Sequence, residues 1–155
     1  MGKKNKILNY IISIFIPVII GCVVGLIMSN YIDYESLNRP ALSPPASIFP
    51  IMWTILYILM GISYAILKNN DKVDSKVNKI YYLQLIVNAL WSIIFFVLKL
   101  RLVAFLWIVL LCTLVIYMII VFYKKEKIAG ILQIPYLVWI LFATYLNFFV
   151  FLLNK

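Results

Sequence analysis

The sequence predicts an all-α integral membrane protein, a bundle of five transmembrane helices whose first connection is a long, proline-rich loop. Two observations lead to this prediction. Of the 155 residues, 66% are hydrophobic and only 12% are charged, whereas a soluble domain of this size carries about 25% charged residues. Five apolar stretches also reach the roughly 20 residues that a helix needs to cross a bilayer. We expect residues 1–155 to form a single membrane domain.

The five spans are placed where uncharged apolar runs begin and end, at 7–28, 48–67, 80–98, 102–123 and 128–153. The first run is longer than the apolar core of a signal peptide and lacks a cleavage pattern, so we expect it to remain as a helix. Its Gly21 and Gly25 form a GxxxG pair, which is typical of close helix packing. The last run contains Pro135, which lipid tolerates because neighbouring groups can satisfy the freed carbonyl, and we expect a kink there.

The distribution of charge predicts an orientation. Ten basic residues fall on the side of the N-terminus, namely Lys3, Lys4, Lys6, Lys68, Lys72, Lys76, Lys79, Lys124, Lys125 and Lys127. Four fall on the other side, namely Arg39, Lys99, Arg101 and Lys155. Because cytoplasmic loops carry the excess of lysine and arginine, we expect a cytoplasmic N-terminus and an external C-terminus. The net charge of +9 is then a signal for topology and for anionic lipid rather than for nucleic acid.

The ionisable residues argue against several function classes. All five acidic residues lie in loops, the chain has no histidine, and no span contains a charge. Pumps, voltage sensors and proton-coupled carriers need ionisable groups inside the membrane, so we expect none of these mechanisms. The same composition argues against a His/carboxylate metal site and Ser-His-Asp catalysis, and we expect no required cofactor. Cys22 and Cys112 lie inside spans and are interpreted as small apolar side chains.

Neutral polar and aromatic side chains recur at helical spacing in three spans, so each set shares one face. The sets are Trp53, Tyr57, Met60, Gly61 and Tyr64 in span two, Tyr81, Gln84, Asn88, Trp91 and Phe95 in span three, and Trp139, Ala143, Leu146 and Asn147 in span five. If the faces converge, they form an aromatic pocket with amide groups, suited to a flat and mostly apolar ligand. Asn88 is open to two interpretations, a hydrogen bond between helices or a ligand contact. Spacing alone leaves the function open.

Three segments are more specific than the spacing. In order, the strings RPALSPPASIFPIMWTILYILMGISY, LQLIVNALWSIIFF and IPYLVWILFATYLNFF resemble the translocator protein family, also called tryptophan-rich sensory or TspO/MBR proteins. The resemblance covers nearly the whole chain, including PVIIGCVVG in span one. It implies a five-helix bundle in a bacterial cell membrane, with the first loop folded as a lid over an intramembrane pocket. It also implies binding of porphyrins such as protoporphyrin IX, of benzodiazepine-type ligands and, in some lineages, of sterols, and it implies a homodimer.

Carried over position by position, the resemblance implies roles for named residues. The ligand-binding positions match Trp53, Tyr57, Asn88, Trp91, Phe95, Trp139, Phe142, Ala143 and Leu146. The lid positions match Arg39, which replaces a usual lysine, and Pro40, Pro44 and Pro45. Leu42 and Asp33 stand where tryptophan is usual in the family, and Trp107 stands where an acidic residue is common. The end of span five lacks the tyrosine and nearby basic residue of the sterol pattern, which argues against specific sterol binding.

Three functions stay open on this basis. The favoured one is a sensor or carrier that holds a tetrapyrrole against Trp53 and Trp139, with porphyrin as a ligand rather than a required cofactor. The second is an enzyme that degrades porphyrin in light through these tryptophans, since no conventional catalytic set is present. The third is a membrane scaffold with no ligand of its own.

Overall fold

The computed structural model of the protein describes residues 3–32, 34 and 36–154. Within that part of the chain there are six α-helices and no strand: α1 (Lys3–Met28), α2 (Ile48–Asn69), α3 (Ser75–Ser92), α4 (Arg101–Lys125), α5 (Lys127–Ile131) and α6 (Ile134–Leu153). Five segments are long and apolar enough to span a bilayer, namely Asn5–Met28, Ile48–Asn69, Ser75–Val97, Arg101–Lys125 and Lys127–Leu153. The predicted all-α, five-span fold is confirmed. Asp33 and Lys155 lie outside the described residues.

The fifth span consists of two helices, because the chain breaks between α5 and α6. The backbone N–H groups of Leu132 and Gln133 donate to Ile128 and Gly130 at 3.0 and 3.1 Å, which closes α5 with a tight turn. Pro135 then lies in the first turn of α6, where a missing N–H leaves no helical hydrogen bond unmade. The expected kink is therefore a break just before the proline.

The third span changes its winding near its end. Asp74 caps α3 by accepting a hydrogen bond from the Val77 N–H at 2.8 Å, so the helix begins five residues before the apolar run does. After Ser92 the helix widens into a π-helical turn, Ile93–Val97, in which the Leu98 N–H donates to the Ile93 carbonyl at 3.0 Å. Such turns recur at functional sites.

Small residues set the closest approach between α1 and α2. A Cβ atom on Gly61 would collide with the backbone of Ser13 and Ile14, and one on Gly21 would collide with the Tyr57 ring. A Cβ on Gly25 would meet nothing within 4 Å. The packing expected of the GxxxG pair is thus made by Gly21 alone, against a side chain, and Gly61 supplies the contact against backbone.

The two ends of the bundle differ in charge. The end with the α2–α3 loop and the α4–α5 junction, here called the basic end, holds two ion pairs: Lys72 Nζ lies 2.7 Å from Glu126 Oε2, and Lys125 pairs with Asp74. The hydrogen bond from Lys125 lowers the pKa of Asp74, and the one from Lys72 lowers the pKa of Glu126. The opposite end, here called the loop end, carries the first loop, the α3–α4 turn and the end of α6.

Adding one methyl group at Gly61 should destabilise the bundle. Overpacking against backbone costs about 1–3 kcal/mol because neither helix can yield without moving. We expect Gly61→Ala to lower the midpoint of thermal unfolding in detergent, while Gly25→Ala, the matched control in the same bundle, leaves it unchanged or slightly higher. Equal midpoints for the two variants would contradict the close α1–α2 contact.

Acid should weaken the basic end. The lowered pKa values of Asp74 and Glu126 stabilise the fold above their ordinary values of 3.8 and 4.5, and this stabilisation is lost as the pH falls below them. We expect the unfolding midpoint to drop between about pH 5 and pH 3, and a Lys72→Gln, Lys125→Gln double variant to show a smaller drop. A double variant with the wild-type pH profile is the opposing result, and Lys68→Gln serves as the control for lost charge.

Candidate ligand site

A chain of hydrogen bonds deep in the bundle joins α2, α3 and α6. The Tyr57 hydroxyl donates to Asn88 Oδ1 at 3.3 Å, and Asn88 Nδ2 donates to the Tyr136 hydroxyl at 2.7 Å. Tyr136 in turn donates to Gln84 Oε1 at 2.8 Å. All four side chains are buried. In this structure Asn88 therefore acts as the link between three helices.

Aromatic rings cover this network on the side of the loop end. Trp53 stacks on Tyr57 with ring centroids 5.6 Å apart and meets Tyr136 edge-on at 6.3 Å. On α6, Trp139 contacts Phe142 at 5.7 Å. Of the nine predicted ligand-binding residues, Trp53 and Tyr57 thus lie with Tyr136, and Trp139 and Phe142 contact each other about one turn further along α6. These five side chains are here called the aromatic cluster.

The remaining predicted residues lie along the seam between α3 and α6. Trp91 stacks on Phe95 at 5.4 Å, and its indole N–H donates to Asn147 Oδ1 at 3.2 Å. Asn147 Nδ2 donates to the Ala143 carbonyl at 2.8 Å, while Leu146 is buried on the same face of α6. The three predicted faces do converge, but their side chains touch one another, so a ligand must separate the rings to enter.

One polar group in the cluster has no partner. The indole nitrogen of Trp139 is buried and makes no hydrogen bond to any of the described residues. The residue as a whole is 9% exposed. An indole N–H can only donate, and leaving a buried donor unpaired costs about 1–3 kcal/mol. The cluster therefore offers a donor to any acceptor that enters it.

The first loop reaches Trp139 through Phe49, in the first turn of α2. The Arg39 guanidinium sits 4.5 Å from the Tyr34 ring, and the Tyr34 hydroxyl donates to the Pro44 carbonyl at 3.0 Å. Tyr34 meets Phe49 edge-on at 5.2 Å, and Phe49 meets Trp139 at 5.9 Å. These contacts connect the loop to the aromatic cluster through Phe49.

The four predicted lid residues lie together in this loop. An open depression of about 480 Å³ is lined by Arg39, Pro40, Pro44 and Pro45, together with Ser43. Leu42 is 67% exposed at the loop surface. The loop is held to the end of α6 by Asn38 and Asn154: the Asn38 N–H donates to Asn154 Oδ1 at 3.0 Å, and Asn154 Nδ2 donates to the Asn38 carbonyl at 2.9 Å.

The tryptophan in span four has a structural contact. The Trp107 indole N–H donates to the Val87 carbonyl at 2.8 Å, which ties α4 to α3. Trp107 thus links these two helices and is not one of the residues of the aromatic cluster.

Comparison with known proteins gives the family. The family model described as TspO/MBR family matches residues 13–153. The chain belongs to the TspO/MBR family. Similar proteins include the tryptophan-rich protein TspO of Archaeoglobus fulgidus, which is 38% identical over 96% of this chain and 99% of its own length. Protein CrtK of Rhodobacter capsulatus is 35% identical over 84% and 83%, and a translocator protein homolog of Schizosaccharomyces pombe is 31% identical over 94% and 92%.

Family membership and the five spans together make this TspO/MBR protein an integral membrane protein. The resemblance seen in the sequence is confirmed. Gln84 and Asn147 were placed on the predicted faces but were given no ligand-binding role, and Phe49 was not singled out. Tyr136 lies one turn before Trp139, so helical spacing already puts it on the same face; the position of Phe49 depends on how the loop folds.

Removing the Tyr136 hydroxyl should leave Asn88 Nδ2 and Gln84 Oε1 without their hydrogen-bond partner. We expect Tyr136→Phe to lower the free energy of unfolding by about 1–3 kcal/mol, the cost of unsatisfied buried polar groups. Tyr123→Phe, at an exposed side chain, is the matched control and should have little effect. The check is unfolding in mixed detergent micelles, and a Tyr136→Phe protein as stable as the control would show that the network is not needed for helix packing.

Proposed function

We propose that the protein is a membrane receptor or sensor that binds tetrapyrroles such as protoporphyrin IX, and other flat apolar ligands, between α2, α3 and α6 under the first loop. The observation that supports this most is the unpaired, buried indole N–H of Trp139 inside a cluster of aromatic rings. A relative from Cereibacter sphaeroides, 34% identical over 74% of this chain, is named tryptophan-rich sensory protein. A carrier role is compatible with the same site.

The chemistry of the cluster suits such a ligand. Aromatic walls with a few polar groups are typical of pockets for flat apolar molecules, and stacked or edge-on rings contribute about 0.5–1.5 kcal/mol per pair beyond their buried area. A carbonyl or carboxylate oxygen of the ligand could accept from Trp139. For the ligand to enter, Phe49 must move away from Trp139. The hydrogen bonds of Asn88 to Tyr57 and Tyr136 stay in place.

The loop is suited to act as a lid. Pro40, Pro44 and Pro45 reduce the number of conformations that the free loop can adopt, which lowers the entropy lost on closing it. Because Phe49 contacts both Tyr34 and Trp139, movement of the loop and access to the cluster are coupled. We propose that the loop end faces outward from a bacterial cell membrane, since the basic end carries the excess lysine. The bilayer and a small apolar ligand are the proposed partners, and the homodimer stays a prediction.

A second candidate is light-dependent degradation of the bound porphyrin. The observation in its favour is that Trp53 contacts Tyr136 and that Trp139 follows Tyr136 by three residues on α6, so both electron-rich indoles would border the proposed pocket. This reaction would use the same pocket, and it is distinguished by what happens on illumination.

Dark titration with protoporphyrin IX tests the pocket. The porphyrin absorbance band should shift saturably, and Trp139→Phe should weaken binding about tenfold, because it loses the hydrogen-bond donor and part of the stacking surface. Trp53→Phe should weaken it by several-fold through stacking alone. Trp107→Phe, remote from the cluster, is the control. Absence of saturable binding, or an equal loss in all three variants, contradicts the proposal, and a new spectral product that forms only in light would support degradation.

Filling the floor of the site should exclude a bulky ligand. Ala143 is buried on the face of α6 that follows Trp139, so we expect Ala143→Leu to weaken porphyrin binding at least about tenfold through steric overlap. Circular dichroism and the elution volume should stay close to wild type. Ala89→Leu, on a partly exposed side of α3, is the matched control, and an unchanged affinity in Ala143→Leu would mean that the ligand lies elsewhere.

A further inference from the structure

A second cavity, of about 260 Å³, lies at the loop end of the bundle. It is bordered by three parts of the chain, the first loop, the α3–α4 turn and the end of α6. Its lining includes Ser36, Phe96, Lys99, Arg101 and Asn154. It is separate from the depression over the lid prolines and lies beside the seam that holds Trp91 and Phe95.

Both cations of the α3–α4 turn line this cavity. Arg101 is half-buried; its Nη1 donates to the Phe95 carbonyl at 2.6 Å, and its guanidinium lies 4.5 Å from the Phe95 ring. Among the residues that the structure describes, none of those lining the cavity is acidic, and no carboxylate pairs with Lys99 or Arg101. The described ion pairs are all at the basic end. Two positive charges thus share a partly enclosed space without a described counter-ion.

The backbone between these two charges adopts a strained conformation at Lys99. Lys99 has a φ of 53°, a left-handed conformation that is uncommon for a residue other than glycine, asparagine or aspartate. It lies two residues after the π-helical turn Ile93–Val97. The reversal after this turn lets Lys99 and Arg101, two residues apart, line the same cavity. Such strained positions persist where the surrounding structure requires them, and they cluster at functional sites.

The cavity is connected to the proposed ligand site through aromatic side chains. Phe96 lines the cavity and meets Trp91 edge-on at 6.1 Å, while Phe95, under the Arg101 guanidinium, stacks on Trp91. Trp91 is one of the predicted wall residues. A ligand with a flat apolar body and an acidic edge could therefore place the body along the α3–α6 seam and the edge between the two cations.

We propose that this cavity binds the carboxylate groups of the ligand, with Lys99 and Arg101 as their counter-ions. The inference rests on the proposed function, because it assigns a subsite to the same ligand. Charge-assisted hydrogen bonds to a carboxylate are about twice as strong as neutral ones, so the subsite would select acids over neutral molecules of the same shape. The phosphate of a lipid in the adjoining leaflet is the other source of an anion at this depth.

The test compares protoporphyrin IX with its uncharged dimethyl ester, both titrated into the full-length protein in phosphatidylcholine nanodiscs. We expect the wild type to bind the diacid about tenfold more tightly than the diester, a difference of about 1.4 kcal/mol. In Lys99→Gln this ratio should fall below the wild-type value, because only Arg101 remains as a counter-ion, with the diester affinity unchanged. Lys99→Arg, which keeps the charge, and Lys79→Gln, an exposed lysine at the basic end, should keep the wild-type ratio. Raising the salt concentration from about 50 to about 500 mM should weaken the diacid and not the diester.

Each other result has a definite meaning. If both porphyrins bind saturably but with equal affinity to the wild type, or with the wild-type ratio to Lys99→Gln, the carboxylate subsite is overturned while the proposed function stands. If neither porphyrin binds to the wild type, the proposed function fails and the subsite with it. If Lys99→Gln reduces retention of phosphatidylglycerol on purification and leaves the diacid preference intact, the cations hold lipid phosphate and the proposal is overturned. If Lys99→Gln fails to fold, the salt dependence of diacid against diester in the wild type decides: a salt effect on both or on neither overturns the proposal.

Discussion

A buried hydroxyl or amide in the centre of a bilayer has no water to bond, so its partner must be supplied by the protein itself. Asn88 meets this constraint by accepting from Tyr57 and donating to Tyr136, whose hydroxyl in turn donates to the Gln84 side-chain oxygen. Because these residues lie on α2, α3 and α6, pairing them sets how the three helices face one another. The glycine contact of α1 at Gly61 and the Trp107 bond of α4 then pack the remaining spans around this layer.

The side of this layer that faces the loop end is packed differently. There the contacts are made by aromatic rings: Trp53 meets Tyr57 and Tyr136, and Phe49 meets Trp139. Trp139 adds a hydrogen-bond donor to this region, since its N–H is buried without an acceptor among the described residues. A ligand that replaces Phe49 over Trp139 would lose no protein hydrogen bond and could gain one. The first loop is fastened to the end of α6 by the Asn38–Asn154 pair. It is also connected to Trp139 through Phe49.

The sequence predicts the features that local chemistry determines, and it does not predict those that depend on contacts between helices. The spans were predictable because lipid demands length and apolarity: the first span ends at Met28 and the second begins at Ile48, as expected. The faces of α2, α3 and α6 were predictable because side chains three or four residues apart must lie together. The start of α3 was placed five residues too late, since its polar first turn is held by the Asp74 cap rather than by hydrophobicity. Which helices face each other is not contained in spacing, so the partner of Asn88 could not be named, nor could the contact of Phe49 with Trp139 or the joint lining of one cavity by Lys99 and Arg101.

The central claim is that the buried N–H of Trp139 is satisfied by the ligand. Nuclear magnetic resonance of protein labelled at its four tryptophans measures this directly, with each indole signal assigned through its Trp→Phe variant. On saturation with protoporphyrin IX in the dark, the Trp139 indole signal should move most, and its temperature dependence should become that of a hydrogen-bonded N–H. The Trp107 signal, already bonded to Val87, should stay where it is. A saturated sample in which Trp139 is unchanged, or in which Trp107 moves instead, would contradict the account.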